Sequence, residues 1–252
     1  MRAALVLGLT FFVMRGGFGD TPKAEQPEFY FTRLIYRPNL QTARNRNAWA
    51  TDAPEADYKF MAGIKRLTNL RVYPEIHAVG PLDPELFKFP YLYAVEVGQM
   101  DLNEREAATI REYLLRGGFL HCDDFWGVQQ FANFQRQLGK VFPDRKIERL
   151  PITHEVFRTF FEVDKIVQIP NINNGINWKL SGGRTPTWQQ ASDTQPGVFG
   201  ISDDDGRLMV LATYNSDLGD AWEWMDHPDY PAEFTGWAYR MGMNFIIYAM
   251  SH

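Results

Sequence analysis

The chain has 252 residues, 45% hydrophobic and 15% aromatic, with a formal net charge of −5. That length and composition suit one large domain with an ordinary core. The acidic balance, with no block of lysine or arginine, excludes nucleic acid and an anionic membrane surface as main partners. Cys122 is the only cysteine, so no intrachain disulfide holds the fold together.

In chain order, Met1-Arg2 and the uncharged run Ala3 to Met14 have the charged start and short apolar core of a secretory signal. Gly17-Phe18-Gly19 offers small residues for cleavage, so residues 1–19 read as a signal peptide. The run is too short to span a bilayer as a helix. An uncleaved anchor, which Arg15 favours, and a buried N-terminal element are the alternatives. The expected location is exported, periplasmic or secreted, with no membrane span in the mature chain. Residues 20–28 are polar and proline-containing and read as a leader; residues 29–252 read as a single domain.

Strands are predicted at Phe29 to Tyr36, Glu75 to Val79, Tyr91 to Val97, Phe119 to Asp123, Lys165 to Ile169 and Leu208 to Thr213. Helical periods fall between several of them: Ala56 to Leu67, and the stripe Val128, Phe131, Phe134 and Leu138. Glu104 to Arg116 carries both helix signals, Asn103 and Glu106 as a capping box and Gly117-Gly118 as a stop. A last helix opens at Pro231. Val198 to Ile201, the turn Ser202 to Gly206 and Arg207 to Thr213 read as an antiparallel hairpin. Strands alternating with helices imply a three-layer α/β fold with a mostly parallel sheet and helices on both faces.

In open parallel sheets ligands bind beyond the carboxyl ends of the strands, so residues just after strands are the site candidates. Two acidic segments qualify. The first supplies His121, Asp123, Asp124 and Trp126; the second supplies Asn215, Asp217, Asp220, Trp222 and Glu223. Asp217, Asp220 and Glu223 are candidate oxygen ligands for a divalent metal such as calcium or magnesium. The same acids also suit the start of a helix, where they would cap free N–H groups. No other cofactor is expected.

Cys122 lacks flanking glycines and reads as a buried strand residue. His154-Glu155 reads as structural, and Asp203-Asp204-Asp205-Gly206 as a turn without the spacing of a calcium loop. The loop with Arg37, Asn39, Arg44, Asn45, Arg46, Asn47 and Trp49 suits a polar, anionic or sugar-like ligand, or simply solvent. No P-loop, G-x-G-x-x-G, H-E-x-x-H or G-x-S-x-G motif is present.

Leu102-Asn103-Glu104 through Gly117-Gly118-Phe119, the Asn215 to Glu223 block (NSDLGDAWE) and the Tyr239 to Asn244 segment resemble the bacterial family called domain of unknown function 4159. More distantly they resemble the class I glutamine amidotransferase-like superfamily, including the trehalose-utilisation proteins. That resemblance implies a flavodoxin-like sheet. It does not imply amidotransferase chemistry, because Leu120-His121-Cys122-Asp123-Asp124 departs from the Gly-x-Cys-x-Gly elbow, and His154-Glu155 replaces the relatives' His-Pro pair.

Two functional expectations follow. One is a non-catalytic domain binding a small polar or sugar-like ligand or an envelope protein. The other is a carboxylate- or metal-dependent hydrolase acting on a carbohydrate-like substrate. A purely structural part in an envelope assembly is a third.

Overall fold

A computed structural model describes residues 26–39 and 46–252. The signal at 1–19, most of the 20–28 leader, Arg44 and Asn45 lie outside the described residues.

The elements are β1 (Thr32–Leu34), β2 (Arg37–Pro38), α1 (Glu55–Leu67), β3 (His77–Val79), β4 (Tyr91–Val95), β5 (Met100–Asp101) and α2 (Glu104–Leu115). They continue with β6 (Phe119–Phe125), α3 (Gly127–Val141), β7 (Glu148–Arg149), α4 (Ile172–Leu180), β8 (Gly197–Ser202), β9 (Leu208–Tyr214), α5 (Leu218–Glu223) and α6 (Ala232–Ser251). Seven strands form one sheet in the order β3-β1-β4-β6-β9-β8-β7. The first five are parallel to their neighbours, and β8 and β7 extend the sheet antiparallel. Ranked along the chain, the parallel strands run 2-1-3-4-5, the flavodoxin-like order, with its switch point between β1 and β4.

Strand alternation builds two cores. Tyr91, Tyr93 and Val95 face one side, with α1, α5 and α6, whereas Leu92 and Ala94 face the other, with α2 and α3. On the first side Phe60 stacks on Trp222 with ring centroids 4.0 Å apart. Gly242 permits that packing, since a Cβ there would fall 2.6 Å from Phe60 and 2.8 Å from Trp222. The capping box of α2 is formed as the sequence predicts, Glu106 N–H donating to Asn103 Oδ1 at 2.9 Å and Asn103 N–H to Glu106 Oε2 at 2.8 Å. The β8–β9 hairpin also matches, with Asp203 Oδ1 accepting from the N–H of Asp205 and of Arg207 in its turn.

Lys165 to Ile169 is not a strand. Ile169 instead bonds to the turn after β9, its N–H donating to Ser216 Oγ at 3.1 Å and its carbonyl accepting from Asp217 N–H at 3.0 Å. With a turn as partner, the segment runs extended outside the sheet. Strand β6 runs two residues past the predicted end at Asp123, to Phe125. Among the described residues no helix is long and apolar enough to cross a membrane.

Candidate functional site

The parallel strands β1, β4, β6 and β9 end on one rim, and four non-glycine residues there adopt left-handed backbone: Asp52 (φ 64°), Glu96 (φ 56°), Asp124 (φ 50°) and Asn215 (φ 53°). Such conformations cost roughly 1 kcal/mol or more each and gather at functional sites. Each is held by its surroundings. Tyr36 Oη donates to the carbonyls of Val95 and Glu96 at 2.7 and 2.9 Å, fixing the turn after β4.

Asp124 sits in a bulge. The β6–β9 register slips between Cys122 and Phe125, so Phe125 shares the apolar face of Cys122, and Asp124 is left at the rim. Its Oδ1 accepts from Trp126 Nε1 at 2.6 Å.

Asp123, one residue earlier, points to the opposite face and is fully buried. It accepts from Tyr93 Oη (2.8 Å), Thr213 Oγ1 (2.5 Å), Leu218 N–H (3.0 Å) and Gly219 N–H (3.2 Å). Burial lifts its carboxyl to about 6, with these donors pulling the other way. Asp217 caps the same helix, its Oδ1 accepting from Asp220 N–H at 2.9 Å. The open N–H groups of α5 are thereby used by Asp123 and Asp217.

Asp220 accepts from Ile172 N–H at 2.7 Å and shares a hydrogen bond with Glu223. Burial, and then the Asp220 charge, lift Glu223 to about 7. Asp52 reaches the same place from the loop after β1. Its Oδ2 lies where the Cβ of any residue other than glycine at 219 would be, 2.2 Å from that position. Carboxylate oxygens of Asp52, Asp217 and Asp220 lie within 4.8 Å of one another. Burial first, and then the neighbouring acids, push Asp52, Asp124 and Asp217 well above the ordinary carboxylate range, and burial raises Asp220.

The Asp52 loop is positioned by Arg33 on β1. Its guanidinium pairs with Asp57 at 2.6 Å, both side chains buried, and Nη1 donates to the carbonyls of Trp49 (3.2 Å) and Thr51 (2.7 Å). Asn215 does the same work on the far side, its Oδ1 accepting from Gly127 N–H at 2.9 Å and its Nδ2 donating to the carbonyls of Asp193 and Gln195. It ties the start of α3 to the 193–195 segment.

A cavity of about 380 Å³ opens between the turn after β4, the start of α3 and residues 189–192. Its wall is rich in amides, with Gln99, Gln130, Asn133, Gln189 and Gln190, beside Glu96, Trp126 and Arg136. Gln189 links the cavity to the acids, its Nε2 lying 3.5 Å from both Asp124 Oδ1 and Asp217 Oδ2.

Of the residues singled out by sequence, Asp123, Asp124, Asp217 and Asp220 come together on this rim, with Trp126 on the cavity wall and Asn215 as a clamp. His121 and Trp222 do not reach it. His121 is buried in the core, with Nδ1 2.8 Å from Tyr91 Oη and Nε2 3.3 Å from Thr213 Oγ1, and burial lowers it to about 3. Trp222 is buried on Phe60. Glu223 sits at the edge of the cluster, bonded to Asp220 but outside the trio that includes Asp52. Cys122 is buried and its thiol is pushed up by burial, the state of an inert core residue. His154 caps a short 3₁₀ turn.

No sequence pattern marks Asp52, Glu96 or Gln189. The only available signal is indirect: an arginine at position 33 inside an apolar strand has to find buried partners, and those partners flank Asp52.

Fold and rim define a flavodoxin-like α/β protein with an acid-lined site at the carboxyl ends of its parallel strands. The chain belongs to the family described as a domain of unknown function (DUF4159), whose model matches residues 31–250. Among curated proteins none matches it in sequence.

Proposed function

We propose that the protein binds a small uncharged polar ligand, with the size and hydrogen-bonding character of a sugar, in the cavity between α3 and residues 189–192. The supporting observation is the wall itself. Side-chain amides both donate and accept; Gln130 uses its Oε1 on Trp126 N–H and Gln189 its Nε2 on Asp124 and Asp217, which leaves a donor at Gln130 and an acceptor at Gln189 for ligand hydroxyls. A volume of about 380 Å³ is in the range of small-ligand sites. The left-handed turns at Glu96 and Asp124 and the Asn215 clamp support a pre-formed site, which lowers the ordering cost of binding.

Among the described residues Glu96 is the carboxylate on the cavity wall, and Asp124 and Asp217 connect to the cavity through Gln189. A hydrolase would need an acid and a base facing each other across the ligand. One wall carboxylate supports binding more than hydrolysis. The charged-then-apolar start over residues 1–19 supports an exported protein that meets its ligand outside the cytoplasm.

The test is a thermal-shift and calorimetric panel of monosaccharides, disaccharides and polyols, with amino acids as controls. A sugar or polyol is expected to raise the melting temperature saturably. Gln130→Ala with Gln189→Ala should weaken that response about tenfold or more, since each lost hydrogen bond is worth about 0.5–1.5 kcal/mol. A panel that leaves the wild-type protein unmoved, or a response that survives both substitutions, refutes the reading.

A further inference from the structure

We propose that Asp52, Asp217 and Asp220 form a site for a hard divalent cation of the calcium class. The inference does not rest on what fills the amide-lined cavity, because none of these three residues lines it and the cation needs no organic ligand.

The proposal starts from an unmatched atom. Asp52 Oδ2 is sealed from solvent and has no hydrogen-bond partner among the described residues, although the residue as a whole is partly exposed. It is held 2.2 Å from the vacant Cβ position of Gly219, hard against the start of α5. The N–H groups there do not serve it, since Leu218 and Gly219 donate to Asp123, and Asp220 donates to Asp217. The Arg33 charge acts on Asp52 from a distance, but its N–H groups are spent on Asp57, Trp49 and Thr51. A buried carboxylate without a donor is costly. Here it stands beside the carboxylates of Asp217 and Asp220. Either a proton or a cation has to stand between them.

Geometry favours the cation. Three atoms spaced by no more than 4.8 Å have a common point at most about 2.8 Å from each. That upper bound is only a few tenths of an ångström above the calcium–oxygen range of about 2.3–2.6 Å, so the three oxygens can meet one ion with little movement. Magnesium demands near-ideal octahedral geometry at about 2.0–2.1 Å, which a packed all-carboxylate site supplies less readily. The donor set is all carboxylate oxygen, with no nitrogen or sulfur, which selects hard ions over zinc or copper. Asp217 Oδ1 caps α5, and its Oδ2 meets only the long 3.5 Å contact from Gln189 Nε2, which an ion can replace. Water would complete the coordination.

The experiment uses the purified chain stripped with EDTA and then titrated with calcium chloride alone. Melting temperature and tryptophan-sensitised terbium luminescence report occupancy. The wild-type protein should bind about one ion per chain and melt several degrees higher with calcium. Asp52→Asn should bind at least tenfold more weakly. Its metal-free melting temperature should match or exceed wild type, because the substitution removes an acid that has no donor. Gly219→Ala, which displaces Asp52 without touching a carboxylate, should weaken binding as well. No saturable calcium response in wild type, or wild-type affinity in Asp52→Asn, overturns the proposal.

Discussion

Arg33→Met is expected to cost about 3–5 kcal/mol of folding stability, the usual penalty for breaking a buried ion pair from one side. The guanidinium and the Asp57 carboxylate are both sealed from water, and Arg33 Nε lies 2.9 Å from each Asp57 oxygen. Removing the arginine strands the Asp57 charge and two carbonyls, those of Trp49 and Thr51. Arg33→Met with Asp57→Leu should recover much of the loss, since an apolar pair leaves no buried charge. Chemical denaturation of the two single variants and the double variant gives the coupling directly. If Arg33→Met costs under about 1 kcal/mol, the pair is not holding the Asp52 loop.

Trp222→Ala should cost about as much, roughly 3–5 kcal/mol, for a different reason. Its indole is buried, stacked on Phe60 at 4.0 Å and set edge-on to Phe31 at 6.2 Å. Truncation leaves a hole between α1, α5 and α6 that rigid neighbours cannot close. The variant should melt well below wild type, yet the protein that remains folded should keep its response to a cavity ligand. A stable variant with lost ligand binding would instead place Trp222 at the site.

Trp222 and His121 show where the sequence misleads. Trp222 stands in an acidic block after a strong strand, which suggests a rim position, but the helical turn rotates it inward onto Phe60. His121 misleads for a simpler reason. Strand β6 runs on to Phe125, so His121 lies deeper in the sheet than an end at Asp123 implies. The bulge that extends the strand leaves no mark in composition, since His121-Cys122-Asp123-Asp124 carries no glycine to announce it.

Other features are local and can be read directly. The capping box of α2 and the β8–β9 hairpin are written in neighbouring residues. The meeting of Asp123 with Asp217 follows from a general rule, that adjacent parallel strands end on the same rim. Asp52 escapes that logic. It is brought to the rim by long-range bonds from Arg33 and fits there only because residue 219 is glycine. The cavity wall at residues 189–192 belongs to an irregular stretch with neither a period of two nor of 3.6, so pattern reading has nothing to follow.

This rim gathers more buried carboxylates than it has donors to satisfy. The most direct test is the melting temperature of the EDTA-stripped protein between pH 5 and pH 8. A carboxyl raised in the folded state adds stability below its ordinary value, and that stability is lost as pH rises through the folded value. For Asp123, moved from 3.8 to about 6, the full stabilisation is about 3 kcal/mol below pH 3.8, of which roughly 1–1.5 kcal/mol is still present at pH 5 and almost none at pH 8. Glu223, raised to about 7, and Asp52, Asp124, Asp217 and Asp220, also raised, act in the same direction. His121 opposes them. Lowered from 6.5 to about 3, it contributes fully above 6.5 and loses that contribution as pH falls. His77 and His154, half-buried and also lowered by burial, act with it, and six raised acids against these three histidines leave the acids ahead. Melting should be roughly 3–10 °C higher at pH 5 than at pH 8, with added calcium flattening the difference. A melting temperature that falls steadily from pH 8 to pH 5 in EDTA would contradict it, since every one of those acids would then be content as a carboxylate.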